Sequence, residues 1–221
     1  MDSNNITFFN ITYKNRKIAK EMGAKWDKKQ KKWYCDDENK TSNLSNLFCF
    51  YKNDINIIGE DRTFGGNELY IDMIPKTTYF KNVRSIFNDD DWNLIRHHIY
   101  ERVNNRCECC GIKKNKYLDA HERWIFDYQT NTQKLIRIIA LCRLCHQATH
   151  YGFSKRNKNI SKINEHIKKV KGITEEELKI HIKNAYDIWK DKNKIKWNID
   201  ISIITNSGFE VKKEHFCSSV T

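Results

Sequence analysis

Proline is almost absent from the chain: Pro75 is the only one in 221 residues. So little proline excludes a polyproline rod or a proline-rich spacer. Glycine is scarce too, with eight residues and no repeat, which excludes collagen-like and glycine-rich low-complexity architectures. No stretch approaches the roughly 18 consecutive apolar residues of a membrane-spanning helix, so no membrane partner is expected. The first residues, Met-Asp-Ser-Asn-Asn, carry neither the basic start nor the apolar core of a secretory leader. Acidic residues are in the minority, 28 Asp and Glu against 40 Lys and Arg, for a formal charge of +12. That imbalance favours a polyanionic partner, nucleic acid before any other.

Eight cysteines are present. Without a leader they do not read as a disulfide framework, and a reducing intracellular compartment is expected, cytoplasmic or that of a virus and its host. Cys35, Cys49 and Cys217 lie far from the others and are expected to be free thiols. The rest form two C-x2-C pairs about thirty residues apart. The first, Cys107-Glu-Cys-Cys110-Gly111, leaves Cys109 as an alternative to Cys110; Gly111 directly after Cys110 suits a knuckle turn. The second is Cys142-Arg-Leu-Cys145. Two such pairs predict a tetrahedral four-thiolate zinc site at Cys107, Cys110, Cys142 and Cys145. The second pair runs into His146 and His150, which share one face of a helix and can hold one metal ion or one phosphate. Between the pairs, His121-Glu122 sits in a run rich in aromatic and β-branched residues, Tyr117 to Phe126, that reads as a strand. A second strand over Leu135 to Leu141 and a helix from Arg143 complete a predicted ββα unit.

The remaining chain divides around this unit. Residues 6–13 read as a strand, Lys14 to Met22 as a helix stopped by Gly23, and Trp26 and Trp33 as packed indoles flanking a lysine-rich turn. A glycine-bearing stretch, 53–66, reads as a linker. Leu69 to Pro75 reads as a strand, and Trp92 to Val103 as a helix behind Asp89, Asp90 and Asp91. Gly152 reads as a helix end. Ile160 to Val170 is a predicted helix. Thr174-x-x-Glu177 is a capping box opening another that runs to about Lys194. Trp197 to Ile204 reads as an edge strand and Gly208 onward as a loose tail. The expected fold class is α+β. The expected parts are an N-terminal module at 1–52, the linker, a zinc-clamped core at 67–153, a helical extension at 154–204 and a tail at 205–221.

The Cys/His pattern resembles the HNH nucleases, whose ββα-metal fold is often clamped by four cysteines. The likeness extends over about residues 69–203 to an uncharacterised bacterial HNH-type family, through Tyr70-Ile-Asp-Met-Ile-Pro75, Phe80-Lys-Asn-Val-Arg84-Ser85 and Ile188-Trp189…Trp197. It implies a metal-dependent endonuclease acting on nucleic acid, DNA in first place. His121, His146 and His150 would hold a catalytic divalent ion such as Mg or Mn, separate from the structural zinc. Glu122 stands where the family places its base histidine, so Glu122 or His121 would take the proton from water. The family's asparagine position is Arg137 here, with Asn131 the nearest substitute. Arg84, Arg137, Arg143, Lys155 and Arg156 would contact phosphates. The alternative is a non-catalytic, zinc-stabilised nucleic-acid-binding module. Residues 6–52 resemble the small GAKWD…KKWY domain of phage primases and related DNA-processing proteins, here Gly23-Ala-Lys-Trp26-Asp27 and Lys31-Lys-Trp33-Tyr34. Nothing in the composition sets the oligomeric state.

Overall fold

A computed structural model describes residues 6–9, 11, 15–30, 32–48, 55–79, 83–87, 89–114, 118–155, 160–209 and 211. The chain is α+β and separates into two units, residues 1–55 with 89–94 and residues 56–88 with 95–221.

The first unit holds β1 (Thr7–Phe9), α1 (Arg16–Glu21), β2 (Lys25–Asp27), β3 (Lys32–Cys35) and α2 (Glu38–Ser45). Its antiparallel sheet has the order β1-β3-β2. Phe9, Trp33 and Trp26 are cross-strand partners and therefore share a face. The indoles of Trp26 and Trp33 meet edge to face at 5.3 Å. Phe9 and Trp33 join Ala19 of α1, Leu44 of α2 and Phe48 in a small core. The lysine-rich turn forms because the Asp27 carboxylate accepts from the N–H of Lys29 (2.7 Å) and Gln30 (3.0 Å). Gly23 follows α1 at φ +96°, a conformation that favours glycine.

In the second unit, α3 (Val83–Ile86) and α4 (Asp89–Glu101, shared with the first unit) precede the hairpin of β4 (Leu118–Asp127) and β5 (Thr132–Cys142). Asp127 again caps the turn, accepting from the N–H of Gln129 at 2.8 Å, and Asn131 takes φ +53°. Leu135, Ile138, Ile139, Ala140 and Leu141 of β5 are buried. The chain passes straight from β5 into α5 (Arg143–Thr149), completing the ββα unit. There follow α6 (Tyr151–Ser154), α7 (Ile160–Lys171), α8 (Glu175–Lys192), β6 (Asn198–Asp200) and α9 (Ser202–Thr205). The capping box at Thr174 and Glu177 is present in full.

Three expectations are corrected. Leu69 to Pro75 alternates in burial as a strand would, with Leu69, Ile71 and Met73 inside, but among the described residues it pairs with no strand. Its backbone is satisfied otherwise: Ile71 N–H points at His181 Nε2 (3.4 Å), Asp72 N–H donates to Thr149 O (3.0 Å), and Ile74 O accepts from the Trp189 indole (3.0 Å). Gly152 lies inside α6 rather than ending a helix, and a Cβ there would press on Met73 Sδ at 2.8 Å, so its smallness admits the 69–75 segment. The break falls at His150 instead, at φ −86° and ψ +47°. The expected strand at 197–204 is three residues long, Asn198–Asp200, and pairs parallel to β5. Asp200 then accepts from Ser202 N–H at 2.8 Å and starts α9.

The stretch read as a linker is fastened to the rest of the second unit at Glu60 and Asp61. Glu60 pairs with Arg102 and accepts from Ile138 N–H at 2.9 Å, and Asp61 N–H donates to Ile136 O at 3.1 Å. The tail is also held at its start: Phe209 is buried, and Ser207 Oγ accepts from Ile58 N–H at 2.8 Å.

Candidate metal centres

The first centre is built by two knuckles at one end of the hairpin. In the first, Gly111 N–H donates to Cys107 O (2.9 Å), Cys107 N–H donates to Ile112 O (3.0 Å), and Gly111 takes φ +70°. In the second, Cys142 is the N-cap of α5 and Cys145 lies in its first turn. The sulfurs of Cys107, Cys110, Cys142 and Cys145 all lie within 4.8 Å of one another, with Cys110 and Cys142 at 3.7 Å. Zinc–thiolate bonds of about 2.3 Å put tetrahedral sulfurs about 3.8 Å apart, so the four fit a zinc ion. With protons alone the cluster is divided against itself. The neighbouring Cys142 and Cys145 thiols draw the Cys107 thiol down, while those of Cys107 and Cys142, with burial, drive Cys145 up. A divalent cation is what lets all four ionise together.

Cys109, the alternative left open by the spacing, stands outside the cluster. Its thiol donates to Glu68 O at 3.5 Å, and burial pushes it up to about 12. Cys35 is a buried free thiol of the first unit, while Cys49 and Cys217 lie outside the described residues.

The second centre lies where α5 crosses β4. Side chains four apart on the helix share a face, so His146 and His150 meet at 4.7 Å between ring centroids. His121 approaches from the strand, 5.4 Å from His146 and 4.8 Å from His150. One nitrogen of each ring lies within 4.8 Å of the other two. His121 is only 4 % exposed, and neither ring nitrogen has a hydrogen-bond partner. A buried, unbonded polar group is costly, and one of these nitrogens faces the other two rings as a metal ligand would. Burial and the two neighbouring rings hold His121 well below the usual imidazole range, and burial takes His150 down to about 4. Neutral imidazole is the form that binds metal.

Asp119 belongs to this centre and was not foreseen. It lies two residues before His121 on β4 and therefore on the same face. Its Oδ2 is 3.4 Å from His146 Nδ1, and that bond holds the carboxyl below its ordinary value. A carboxylate on Nδ1 fixes the ring and leaves Nε2 for a metal. The available signal was the Asp-x-His spacing within a strand.

The other expected residues are dispersed. Alternation along β4 sends Glu122 to the opposite face, where Oε1 accepts from Val83 N–H at 3.1 Å and burial raises its pKa. Arg137 is 2 % exposed and cannot reach a phosphate. Its guanidinium donates to Glu108 Oε1 (2.6 Å), Gly66 O (2.9 Å) and Phe64 O (3.2 Å). Asn131 is at the far end of the hairpin, about 20 Å along the strands from His121 at 3.4 Å per residue. Arg143 is exposed at the first turn of α5, and its charge helps to hold Asp119 ionised. Arg84 is exposed on α3, and Lys155 is exposed with its ammonium 5.5 Å from the Tyr186 ring. Arg156 lies outside the described residues.

Among the described residues, no helix is long and apolar enough to cross a membrane. Residues 7–47 match a family described as a domain of unknown function, DUF5710, which agrees with the separate core of the first unit. Comparison with curated proteins and with solved structures gives no match.

Proposed function

We propose that this chain is a metal-dependent endonuclease of the HNH type, hydrolysing phosphodiester bonds in nucleic acid, with DNA as the expected substrate. The reading is carried by the convergence of His121, His146 and His150, with His121 buried and both its nitrogens unbonded. His121 comes from the strand and the other two from the helix directly behind the second cysteine knuckle. The net charge of +12 and the exposed Arg143 beside the centre favour a phosphate substrate.

In this reading the three imidazoles hold a divalent ion and Asp119 orients His146. A bound ion there supplies a Lewis acid for a phosphodiester oxygen and lowers the pKa of water. Imidazoles suit Mn, Co, Ni and Zn better than Mg, which prefers an oxygen shell. Arg143 binds the phosphate, and the four cysteines stiffen the turn from which α5 starts. The experiment is cleavage of supercoiled plasmid across a series of these metals, with His121→Ala and His146→Ala as controls. Nicking or linearisation by the wild type, lost in both variants, is expected; intact plasmid throughout the series removes the reading.

A second reading is a non-catalytic, zinc-stabilised nucleic-acid-binding module. One observation favours it: Arg137, at the position where the family resemblance places an amide, is sequestered with Glu108. Elemental analysis separates the two. The nuclease binds two ions per chain, and the binding module binds one and retains DNA uncut.

A further inference from the structure

The four-cysteine centre has a neighbour that the ligand set does not use. His166, on α7, brings Nε2 to 3.1 Å from Cys145 Sγ. Zinc with four thiolates carries a net charge of −2, and each sulfur keeps lone pairs that seek donors. At Cys145 the donor within reach is an imidazole from another helix.

We propose that His166 is an outer-sphere positioning residue of this centre, donating Nε2–H to the Cys145 thiolate, so that metal loading holds α7 against the ββα unit. The inference rests on the four-cysteine centre and stands whether or not the histidine centre cleaves anything. A neutral imidazole protonated on Nε2 suffices, and no change of charge is required.

The geometry of α7 supports this role. Ile163, three residues before His166 and so on its face, is buried, as is Ile167 on the same helix. A second fastening, Tyr151 OH donating to Asn164 Oδ1 at 2.8 Å, joins α6 to α7 without touching the cysteines. Past the turn at Gly172, Lys168 pairs with Glu175 at 3.0 Å and ties α7 to α8. In turn α8 carries His181, Trp189 and Lys192, which hold the segment at 71–74. A loosened Cys145–His166 contact therefore removes the fastening that joins α7 to the cysteine centre.

The test uses the full chain with zinc bound, comparing wild type, His166→Ala, His166→Gln and Asn164→Ala. Zinc release to a chromogenic chelator and amide hydrogen exchange over 160–171 are measured. Cobalt-substituted protein reports the ligand set through its thiolate charge-transfer bands. Expected for His166→Ala are an unchanged four-thiolate cobalt spectrum, zinc release faster by about tenfold and faster exchange in α7. His166→Gln, which keeps an N–H donor, recovers most of both effects. Asn164→Ala raises exchange in α7 and leaves zinc release at the wild-type rate. Wild-type release rates in His166→Ala overturn the proposal. So does equal acceleration by Asn164→Ala, which makes general loosening the cause. A wild-type cobalt spectrum of three thiolates and one imidazole also overturns it, because His166 is then a ligand.

Discussion

At the scale of single residues, the second centre depends on how one ring is held. His146 has two nitrogens, and the carboxylate of Asp119 on Nδ1 decides which is free. Asp119→Asn keeps the shape and removes the charge that favours the Nδ1–H tautomer. The expected outcome is a loss of 10- to 100-fold in divalent-ion affinity at the histidine centre, read by isothermal titration, with the same loss in cleavage at limiting metal. Unchanged affinity makes the carboxylate a bystander. Glu122 gives the opposite expectation. Its side chain leaves β4 on the other face and already accepts from Val83 N–H. The amide of Glu122→Gln can accept the same bond, so cleavage should stay within about fivefold of wild type. A fall of 100-fold or more returns Glu122 to the role of proton acceptor, for which burial has already raised its pKa.

At the scale of elements, buried arginines join the segment at 60–68 to the hairpin. Arg137 and Glu108 are nearly closed to solvent, with side-chain exposures of 3 % and 9 %. Glu108 also accepts from Ala140 N–H at 2.6 Å, so this ion pair links the first knuckle to β5. Arg137→Met leaves the Glu108 charge buried without its partner, which costs about 3–5 kcal/mol. A large drop in the denaturation midpoint is expected, and the double variant with Glu108→Gln should recover a good part of it. A midpoint that does not move means that water replaces the guanidinium.

The same elements mark how far the sequence could be read. Short runs of apolar, aromatic and β-branched residues located β4 and β5, and the Cys-x2-Cys spacing located both knuckles and the start of α5, because these signals are local. The apolar run at 69–75 also read as a strand, and its burial does have period two. It could not reveal that side chains of α8, more than a hundred residues away, satisfy that backbone. Arg137 looked like a phosphate contact because a charged strand residue is usually exposed; only the fold brings it to Glu108 and the carbonyls of Phe64 and Gly66. The i, i+4 pair of His146 and His150 was visible in the sequence. Asp119 and His166 were not singled out, since each acquires its meaning from a partner on another element.

At the scale of the whole molecule, the two centres differ in what they hold together, and metal removal should separate them. The histidine centre draws on β4 and α5, which the hairpin pairing and the direct passage from β5 into α5 also hold together. The cysteine centre closes the hairpin, fixes the first turn of α5 and, through His166, meets α7. Zinc binding to such sites is worth about 10–16 kcal/mol in small peptides. Whole domains are stable by only about 5–15 kcal/mol. A zinc ion bound by the four cysteines would therefore supply a free energy comparable to the whole stability of such a unit. A weak chelator should abolish cleavage while far-ultraviolet circular dichroism stays constant. A strong chelator should then collapse hydrogen-exchange protection across β4, β5 and α5. The first unit has its own core of Phe9, Ala19, Trp33, Leu44 and Phe48, and none of its described residues belongs to either centre. Protection in β3 should accordingly outlast that in β5. Simultaneous loss of both would mean that the cysteine zinc supports the entire chain.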